Sequence, residues 1–300
     1  MYKTFDATEI APNAIHRLIV GAIAPRPIAF ASTVNAMGQP NLAPFSFFNA
    51  FGVNPTTIIF SPARRGRDNT TKHTFENIKE VPEVVINAVT YSMVEQVSLA
   101  SAEFPQGISE FEKAGFTPLA SDKVKPFRVK ESPVQWECKV RQVIETGTGG
   151  GAANLIICEV VMVHVRADIL TDDGNINTSK IDLVGRMGTD YYVRAHGEAL
   201  FEVEKPYHKP AIGIDALPFS LKNSPLLTGN ELGRLGSVEA MPSPGELAEA
   251  RSISGVHSIL NHSVLTREAK TEKLHQMVRE ALQQGNKRHA LILGWLLEDE

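Results

Sequence analysis

The stretch NLAPFSFFNAF, residues 41–51, decides the fold prediction for this chain. It is apolar and aromatic, as a buried β-strand is, yet Asn41, Pro44, Ser46 and Asn49 interrupt it. Because proline cannot donate a hydrogen bond to a neighbouring strand, Pro44 leaves adjacent backbone groups free to face a ligand. Small polar side chains beside such a backbone suit a planar, hydrogen-bonding molecule. The alternative is the plain edge strand of a barrel, and the pattern alone leaves both interpretations open.

Closely spaced strand signals surround this stretch. Residues 27–34 and 56–61 predict strands before and after a strand at 41–50. Further strands are predicted at 83–89, 135–145 and 154–165, with short helices at 70–82, 92–101 and 109–115. The Gly-rich segment 146–153 predicts a hairpin loop between the two longest strands. Since strands follow strands without alternating helices, the pattern predicts a mainly β domain with short flanking helices.

The last third of the chain predicts a C-terminal helical extension. Ser243 and Glu246 have the spacing of a helix capping box. The final segment, ALILGWLLEDE at residues 290–300, is strongly apolar before its acidic end. We therefore predict two domains, 1–205 and 206–300. We expect this extension to pack on the barrel or on a second subunit, because a soluble monomer rarely exposes an apolar patch of that size.

The composition limits the classes of function. Of the 300 residues, 43% are hydrophobic and 21% are charged, and the net charge of −4 gives no general case for nucleic-acid binding. Cys138 and Cys158 lie in apolar strand segments and are predicted to be buried thiols. The histidines lack the spacing of a metal site. No apolar run reaches the roughly 20 residues that span a bilayer, and the N-terminus lacks a signal-peptide pattern. We expect a cytoplasmic protein with no membrane segment and no metal.

A basic loop precedes one of the predicted helices. The segment SPARRGRDNTTKHT, residues 61–74, places Arg64, Arg65, Arg67 and Lys72 within nine positions, among several hydroxyl side chains. A helix N-terminus offers free N–H groups and a partial positive charge. Basic and hydroxyl side chains added there predict a site for a phosphate monoester. The alternative is a solvated basic loop.

Several segments resemble one known family in chain order. They are PRPIAFAST (25–33), GQPNLAPFSFFNAF (38–51), the helix opening KHT…N (72–77), VINAV (85–89), SPVQWECKV (132–140), CEVVMVHVRADIL (158–170) and IDLVGRMGTDYY (181–192). Over residues 10–200 the chain resembles the flavin reductase-like family of FMN-binding split barrels. The resemblance implies an FMN-binding split β-barrel and a homodimer, with FMN or FAD bound at the dimer interface. Residues 206–300 match no part of this pattern.

The resemblance also implies where the flavin binds. The stretch 41–49 is expected along the isoalloxazine ring, with Thr33 on the neighbouring strand and the basic loop at the phosphate. The candidate cofactor-binding residues are Thr33, Asn41, Leu42, Ala43, Pro44, Phe45, Ser46, Phe47, Phe48, Asn49, Ser61, Arg67, Lys72 and Thr74. No catalytic side chain is implied, because hydride transfer needs the nicotinamide stacked on the flavin rather than an acid–base pair.

The implied activity is reduction of flavin by NAD(P)H. No Rossmann fingerprint is present, so the nicotinamide is expected over the exposed face of the flavin, and the sequence does not separate NADH from NADPH. One alternative is a flavoredoxin-like electron carrier. Another is a flavin-dependent oxygenase with its own small organic substrate. A monooxygenase or another electron-acceptor protein is a further expected partner.

Overall fold

The structure, a computed structural model, describes residues 1–204 and 210–297. The chain divides into two compact units, Met1–Phe201 and Glu202–Glu300, called here the β unit and the helical unit. Residue 205, the predicted domain boundary, lies outside the described residues. None of the described helices combines the length and the apolar character needed to cross a bilayer.

The β unit is built on a seven-stranded antiparallel sheet. Its strands, in chain order, are β1 (Ala29–Val34), β2 (Pro40–Phe45), β3 (Phe48–Val53), β4 (Thr56–Phe60), β5 (Glu83–Asn87), β6 (Pro118–Leu119), β7 (Arg128–Val129), β8 (Val134–Glu145), β9 (Asn154–Val165), β10 (Val184–Arg186) and β11 (Tyr192–Arg194). The large sheet has the order β2-β1-β5-β8-β9-β4-β3, and β6 with β7 and β10 with β11 form two small sheets. The mainly β prediction is therefore confirmed.

The predicted strand at 41–50 is wrong, because the chain divides this segment between opposite edges of the large sheet. β2 lies at one edge and β3 at the other. Between them, Ser46 Oγ accepts a hydrogen bond from Arg26 Nε at 3.2 Å. The carbonyl of Phe47 accepts one from the N–H of Ser61 at 2.9 Å. Arg26 holds Ser46 at the corner, and the bond between Phe47 and Ser61 is already part of the pairing of β3 with β4, so the chain crosses from one edge to the other between Phe45 and Phe48.

Short helices flank the sheet, as predicted. They are α1 (Pro12–Ala22), α2 (His73–Glu80), α3 (Val94–Leu99), α4 (Glu110–Ala114) and α5 (Thr178–Ile181), with 3₁₀ turns at Tyr91–Met93, Ala167–Ile169 and Gly197–Ala199. α2 begins directly after Lys72, so the basic loop leads into a helix N-terminus. α4 ends at Gly115, whose φ of 70° is a left-handed value that glycine adopts without strain.

Two apolar cores lie on opposite faces of β1. Phe30 belongs to a core that includes residues of α3 and α4. Ala31 belongs to another core, formed with Phe60 and the strands beyond it. This alternation follows from strand geometry, in which successive side chains point to opposite faces. Cys138 and Cys158 are free and buried in the second core, as predicted, and burial raises the pKa of the Cys158 thiol to about 12.

The helical unit contains six helices within its described residues. They are α6 (Phe219–Lys222), α7 (Gly229–Gly236), α8 (Pro244–Arg251), α9 (Ser254–Leu260), α10 (Arg267–Gln283) and α11 (Lys287–Trp295). The predicted capping box is present at the start of α8. Ser243 Oγ accepts from the N–H of Glu246 at 3.3 Å, and Glu246 Oε2 accepts from the N–H of Ser243 at 2.8 Å.

The apolar end of the chain lies inside the helical unit's own core. Five of its residues, Ala290, Leu291, Leu293, Leu296 and Leu297, are buried among side chains of the other helices of this unit. The apolar end is therefore covered within its own unit and does not form the exposed patch on which that expectation was based. The five other helices of this unit supply the apolar faces that cover it, which its local sequence could not reveal.

Candidate functional site

Four polar side chains form a buried hydrogen-bonded network where β1 and β2 meet α2. Asn41 Nδ2 donates to Thr74 Oγ1 at 2.9 Å and lies 3.5 Å from Thr33 Oγ1, which also accepts from Asn77 Nδ2 at 3.2 Å. All four residues are at most 8% exposed. The structure thus brings together three predicted site residues and adds Asn77. Its spacing of three from Thr74 places both on one helix face, and this was the signal that could have identified it.

A pocket opens beside this network, between β2, the basic loop and the segment that joins α3 to α4. Its lining includes Asn41, Ala43, Thr74, Lys72, Arg65, Glu110 and residues 100–104. Two carboxylates in this lining, Glu103 and Glu110, were missed by the sequence analysis. Neither has a local motif, since both come to the pocket from a segment about 30 residues beyond the basic loop. The pocket therefore combines a polar wall, a small alanine and a charged rim.

The charged rim is a cluster of three cations around one carboxylate. Glu103 Oε1 lies 2.9 Å from Arg65 Nε and 3.7 Å from Lys72 Nζ, and Glu103 Oε2 pairs with Arg67 Nη2. Arg65 is the most buried of the three cations, with 14% of its side chain exposed. It also donates to Thr70 Oγ1 at 3.0 Å. The cations thus converge on one point at the start of α2.

Titration of this rim follows from burial and from the excess of positive charge. Burial, followed by the charge of Arg65, lowers the pKa of Lys72. Burial and the charges of Arg65 and Lys72 lower the pKa of His73, so its ring is neutral at pH 7. Burial opposes ionisation of Glu103, but its bond to Arg65 and the other nearby cations outweigh this and lower its pKa. The site is therefore one in which an added anion would relieve repulsion.

The predicted phosphate ligands differ in their placement. Lys72 and Thr74 line the pocket. Arg67 is 69% exposed and pairs with Asp68 at 3.0 Å, whereas Arg65, which was not among the predicted ligands, lines the pocket. Ser61 is buried, and its Oγ has no hydrogen-bond partner in the described chain. Ser61 does not line the pocket, so its place among the predicted phosphate ligands stays a prediction.

The residues of 41–49 do not all face the pocket. Asn41 and Ala43 line it, whereas the side chains of Leu42 and Phe45 are buried in the apolar cores. Phe48 packs partly against the second core, and Pro44 is half-buried. Strand alternation explains this division, so Leu42 could contact a ligand only through its backbone.

The remaining residues of the stretch lie at the crossing between the sheet edges or beyond it. Ser46 is held by Arg26, as described above. Phe47 is 38% exposed and meets the ring of His16 edge-on, at 6.4 Å between centroids. Asn49 is exposed, and its side chain accepts from the N–H of Ala50 at 2.8 Å. These positions are distributed around a corner rather than along one flat surface.

The edge of β2 has a specific partner in the pocket. Glu110 is 5% exposed, and its Oε2 accepts a hydrogen bond from the N–H of Leu42 at 2.9 Å. Burial raises the pKa of the Glu110 carboxyl, although this N–H bond works against the shift. The Glu110 carboxylate therefore satisfies a backbone N–H that β2 leaves free, because this edge strand has a neighbouring strand on one side only.

Comparison with known proteins places these features in a family. Residues 21–179 of the 300 match the family described as flavin reductase like domain, and all of them lie in the β unit. An uncharacterized protein of Aquifex aeolicus is 36% identical over 199 residues, which cover 66% of this chain and 99% of that protein.

Solved structures are similar over the same share of the chain. Nitrilotriacetate monooxygenase component B from Bacillus cereus has a TM-score of 0.63 at 30% identity, covering 68% of this chain and 99% of that one. A protein with a split barrel domain from Shewanella frigidimarina has a TM-score of 0.57 at 26% identity, covering 68% of this chain and 99% of that one. The predicted split-barrel fold is confirmed, and the chain belongs to the flavin reductase-like domain family.

Proposed function

We propose that this protein binds FMN in the pocket beside α2 and reduces flavin with NAD(P)H. The observation that carries the proposal is the junction of two features at one helix start. The buried network of Thr33, Asn41, Thr74 and Asn77 lies on one side, and the cations Arg65 and Lys72 lie on the other. Such a junction suits a ligand with a polar, planar part and an anionic end. FAD, which carries the same ring, is the alternative ligand.

The charge of the rim suits a phosphate monoester. Three cations and one carboxylate leave a net charge of +2, and a phosphate monoester carries about −1.5 to −2 at pH 7. The first N–H groups of α2 have no acceptor within the helix and add a partial positive charge. Lys72 stands directly before them. We assign the phosphate to Arg65, Lys72, Thr74 and the start of α2, with Arg67 as a peripheral charge.

The ring is proposed to lie along the edge of β2. Ala43 is small and lines the pocket, so it leaves room for a ring face. Asn41 presents an amide on the same strand face, two residues away. The flavin, when bound, supplies the redox chemistry as acceptor of a hydride from the nicotinamide, and the protein binds, orients and partly encloses it. The neutral His73 ring and the absence of any assigned acid–base pair are compatible with this chemistry.

A reductase is favoured over a carrier by the similarity to the Bacillus cereus protein. That protein's name describes it as a component of a monooxygenase, and this chain covers 99% of it at 30% identity. By analogy, we propose that reduced flavin passes from this protein to a separate oxygenase or another electron acceptor. A flavoredoxin-like carrier and a flavin-dependent oxygenase remain the second and third candidates.

Two measurements test the proposal. Quenching of FMN fluorescence on titration with the protein should reveal a binding curve, and a flat titration would refute the flavin assignment. Oxidation of NADH or NADPH in the presence of excess FMN should then continue over many turnovers. A tightly held flavin that is reduced once and not released would favour the carrier. Oxygen uptake that depends on an added organic substrate would favour the oxygenase.

We also propose that the β unit forms a homodimer. α1 has no buried residue; its Leu18 and Ile19 are 42% and 37% exposed, and Ile23, which directly follows it, is 63% exposed. On the edge strand β3, Phe51 and Val53 are 65% and 90% exposed. Apolar side chains on an unpaired sheet edge are a liability that a second copy would cover. Light scattering after size exclusion should give twice the chain mass, and a monomer mass at micromolar concentration would count against it.

A further inference from the structure

The carboxylate of Glu103 occupies the point on which the three cations of the rim converge. Arg65 and Arg67 each bond to one of its oxygens, and Lys72 Nζ lies 3.7 Å away. This is the position that the proposed function gives to the flavin phosphate. A carboxylate and a phosphate ester use the same donors, because both accept charge-assisted hydrogen bonds from arginine and lysine.

Glu103 is held at this point weakly. It lies outside any helix or strand, between α3 and α4, and 36% of its side chain is exposed. In the described part of the chain, only the three cations bond to its carboxylate, and no backbone N–H does so. By contrast, Glu110 in the same pocket is buried and bonded to the backbone of β2. Ion pairs to a solvent-exposed carboxylate such as Glu103 are weak, since water competes for its oxygens.

We propose that Glu103 is an internal competitor of the flavin phosphate, and this inference rests on the proposed function. When no flavin is bound, the carboxylate pairs with the cations that would hold the phosphate. When FMN binds, the carboxylate either leaves these cations or stays and repels the phosphate. Its effect is to weaken FMN binding and to speed FMN release. A reductase that delivers reduced flavin to another protein needs such exchange, whereas a carrier needs tight retention. Glu103 thus makes the flavin a dissociable substrate rather than a tightly retained cofactor.

The substitution Glu103→Gln tests this role, because it keeps the shape of the side chain and removes its charge. The Kd for FMN should fall roughly 3- to 30-fold, which is the effect of removing a competing state held by a few exposed ion pairs. The dissociation rate of FMN should fall in parallel. Riboflavin, which has the ring without the phosphate, should bind with unchanged affinity. The inhibition constant of inorganic phosphate against FMN binding should fall by a similar factor, because phosphate uses the same donors.

Glu112→Gln is the matched control. Glu112 is exposed on α4 in the same unit, and its replacement by glutamine changes the net charge by the same amount as Glu103→Gln. Its substitution should leave the affinities for FMN and riboflavin unchanged. Glu103→Ala is a second variant, and it should also bind FMN more tightly. Melting temperatures of all variants establish that the compared proteins are folded.

The outcomes separate this inference from the proposal on which it rests. Tighter FMN binding with unchanged riboflavin binding supports it. Weaker FMN binding in both Glu103 variants would overturn it, because Glu103 would then hold the cations in place for the phosphate. Unchanged FMN binding, or an equal gain in Glu112→Gln, would overturn it as well. If the original protein bound neither FMN nor riboflavin, the proposed function itself would fail, and the inference with it.

Discussion

Replacing Lys72 with alanine tests whether the pocket binds a phosphate. Lys72 lies directly before α2 and lines the pocket, with 34% of its side chain exposed. Arg67 carries the same charge in the same loop, but it is 69% exposed and does not line the pocket. The pair Lys72→Ala and Arg67→Ala therefore removes one positive charge each, from inside and from outside the proposed site.

The expected magnitudes follow from the two environments. A charge-assisted hydrogen bond contributes about 1.5–3 kcal/mol, so Lys72→Ala should weaken FMN binding roughly 10- to 150-fold. An exposed, screened charge contributes about 0–1 kcal/mol, so Arg67→Ala should weaken it by at most about 5-fold. Riboflavin lacks the phosphate and should bind equally well to both variants and to the original protein. Arg65→Ala should match Lys72→Ala, since Arg65 is the more buried cation of the pocket.

Fluorescence quenching of FMN and of riboflavin gives the six dissociation constants needed for the comparison, two for each variant and two for the original protein. The assay should be run at two ionic strengths, because a phosphate site loses affinity with salt and a ring site does not. Denaturant unfolding of each variant provides a control for the fold. Both variants should keep the transition midpoint of the original protein within a small margin, since both side chains reach solvent.

Two results would refute this reasoning. If Lys72→Ala weakened riboflavin as much as FMN, the lysine would act on the ring or on the fold, and the phosphate assignment would be wrong even if a flavin binds. If Arg67→Ala cost more FMN affinity than Lys72→Ala, the ligand would lie outside the pocket, and the sequence-based choice of Arg67 would be preferred over the structure-based choice of Arg65.

Three further predictions concern stability. Asn77→Ala should lower the free energy of unfolding by about 1–3 kcal/mol in denaturant titrations, because a buried Thr33 Oγ1 loses its shorter donor. Gly236→Ala should destabilise the helical unit by about 1–3 kcal/mol, since a Cβ there would lie 2.9 Å from backbone atoms. Gly233→Ala on the same helix has open space and should be neutral or stabilising by up to about 1 kcal/mol. Equal melting temperatures for the two variants would contradict this. Hydrogen bonds from Arg288 and then from Ser243 lower the pKa of Glu246 from 4.5 to about 2. The stabilising effect of the Glu246 carboxylate is therefore complete above pH 4.5 and is lost as the pH falls towards 2. Glu246→Gln should flatten the pH dependence of the melting temperature in that window.

The local structure could be predicted from the sequence wherever a few neighbouring residues determine it. Ser243 and Glu246 cap α8 as their spacing indicates, and glycines mark the hairpin between β8 and β9. The short helix that starts after Lys72 is also local, because it needs only its own periodicity and the basic loop before it. These features depend on contacts within about one turn or one strand pair, which the order of residues fixes directly.

Long-range features could not be predicted in this way. The division of 41–50 between two sheet edges depends on Arg26 and Ser61, which hold the crossing residues from outside the segment. Arg65 and Arg67 are two positions apart in a loop, and nothing in their neighbours shows which one faces the pocket. Glu103 comes to the same pocket from beyond β5 and α3. Each of these depends on how distant strands pair, and residue type alone does not encode that pairing.

The interruptions in NLAPFSFFNAF have separate physical causes along one strand and one corner. Opposite β1, the register pairs Thr33 with Asn41, Ala31 with Ala43 and Ala29 with Phe45. Directly opposed side chains share a face, so this face changes from polar at the network, through small alanines, to the apolar core. Pro44 falls on the other face, where an edge strand tolerates it, and Ser46 serves the corner. One short strand thus provides a polar wall, space beside it and an anchor in the core, which is why a ligand pocket and an edge strand are two descriptions of the same segment.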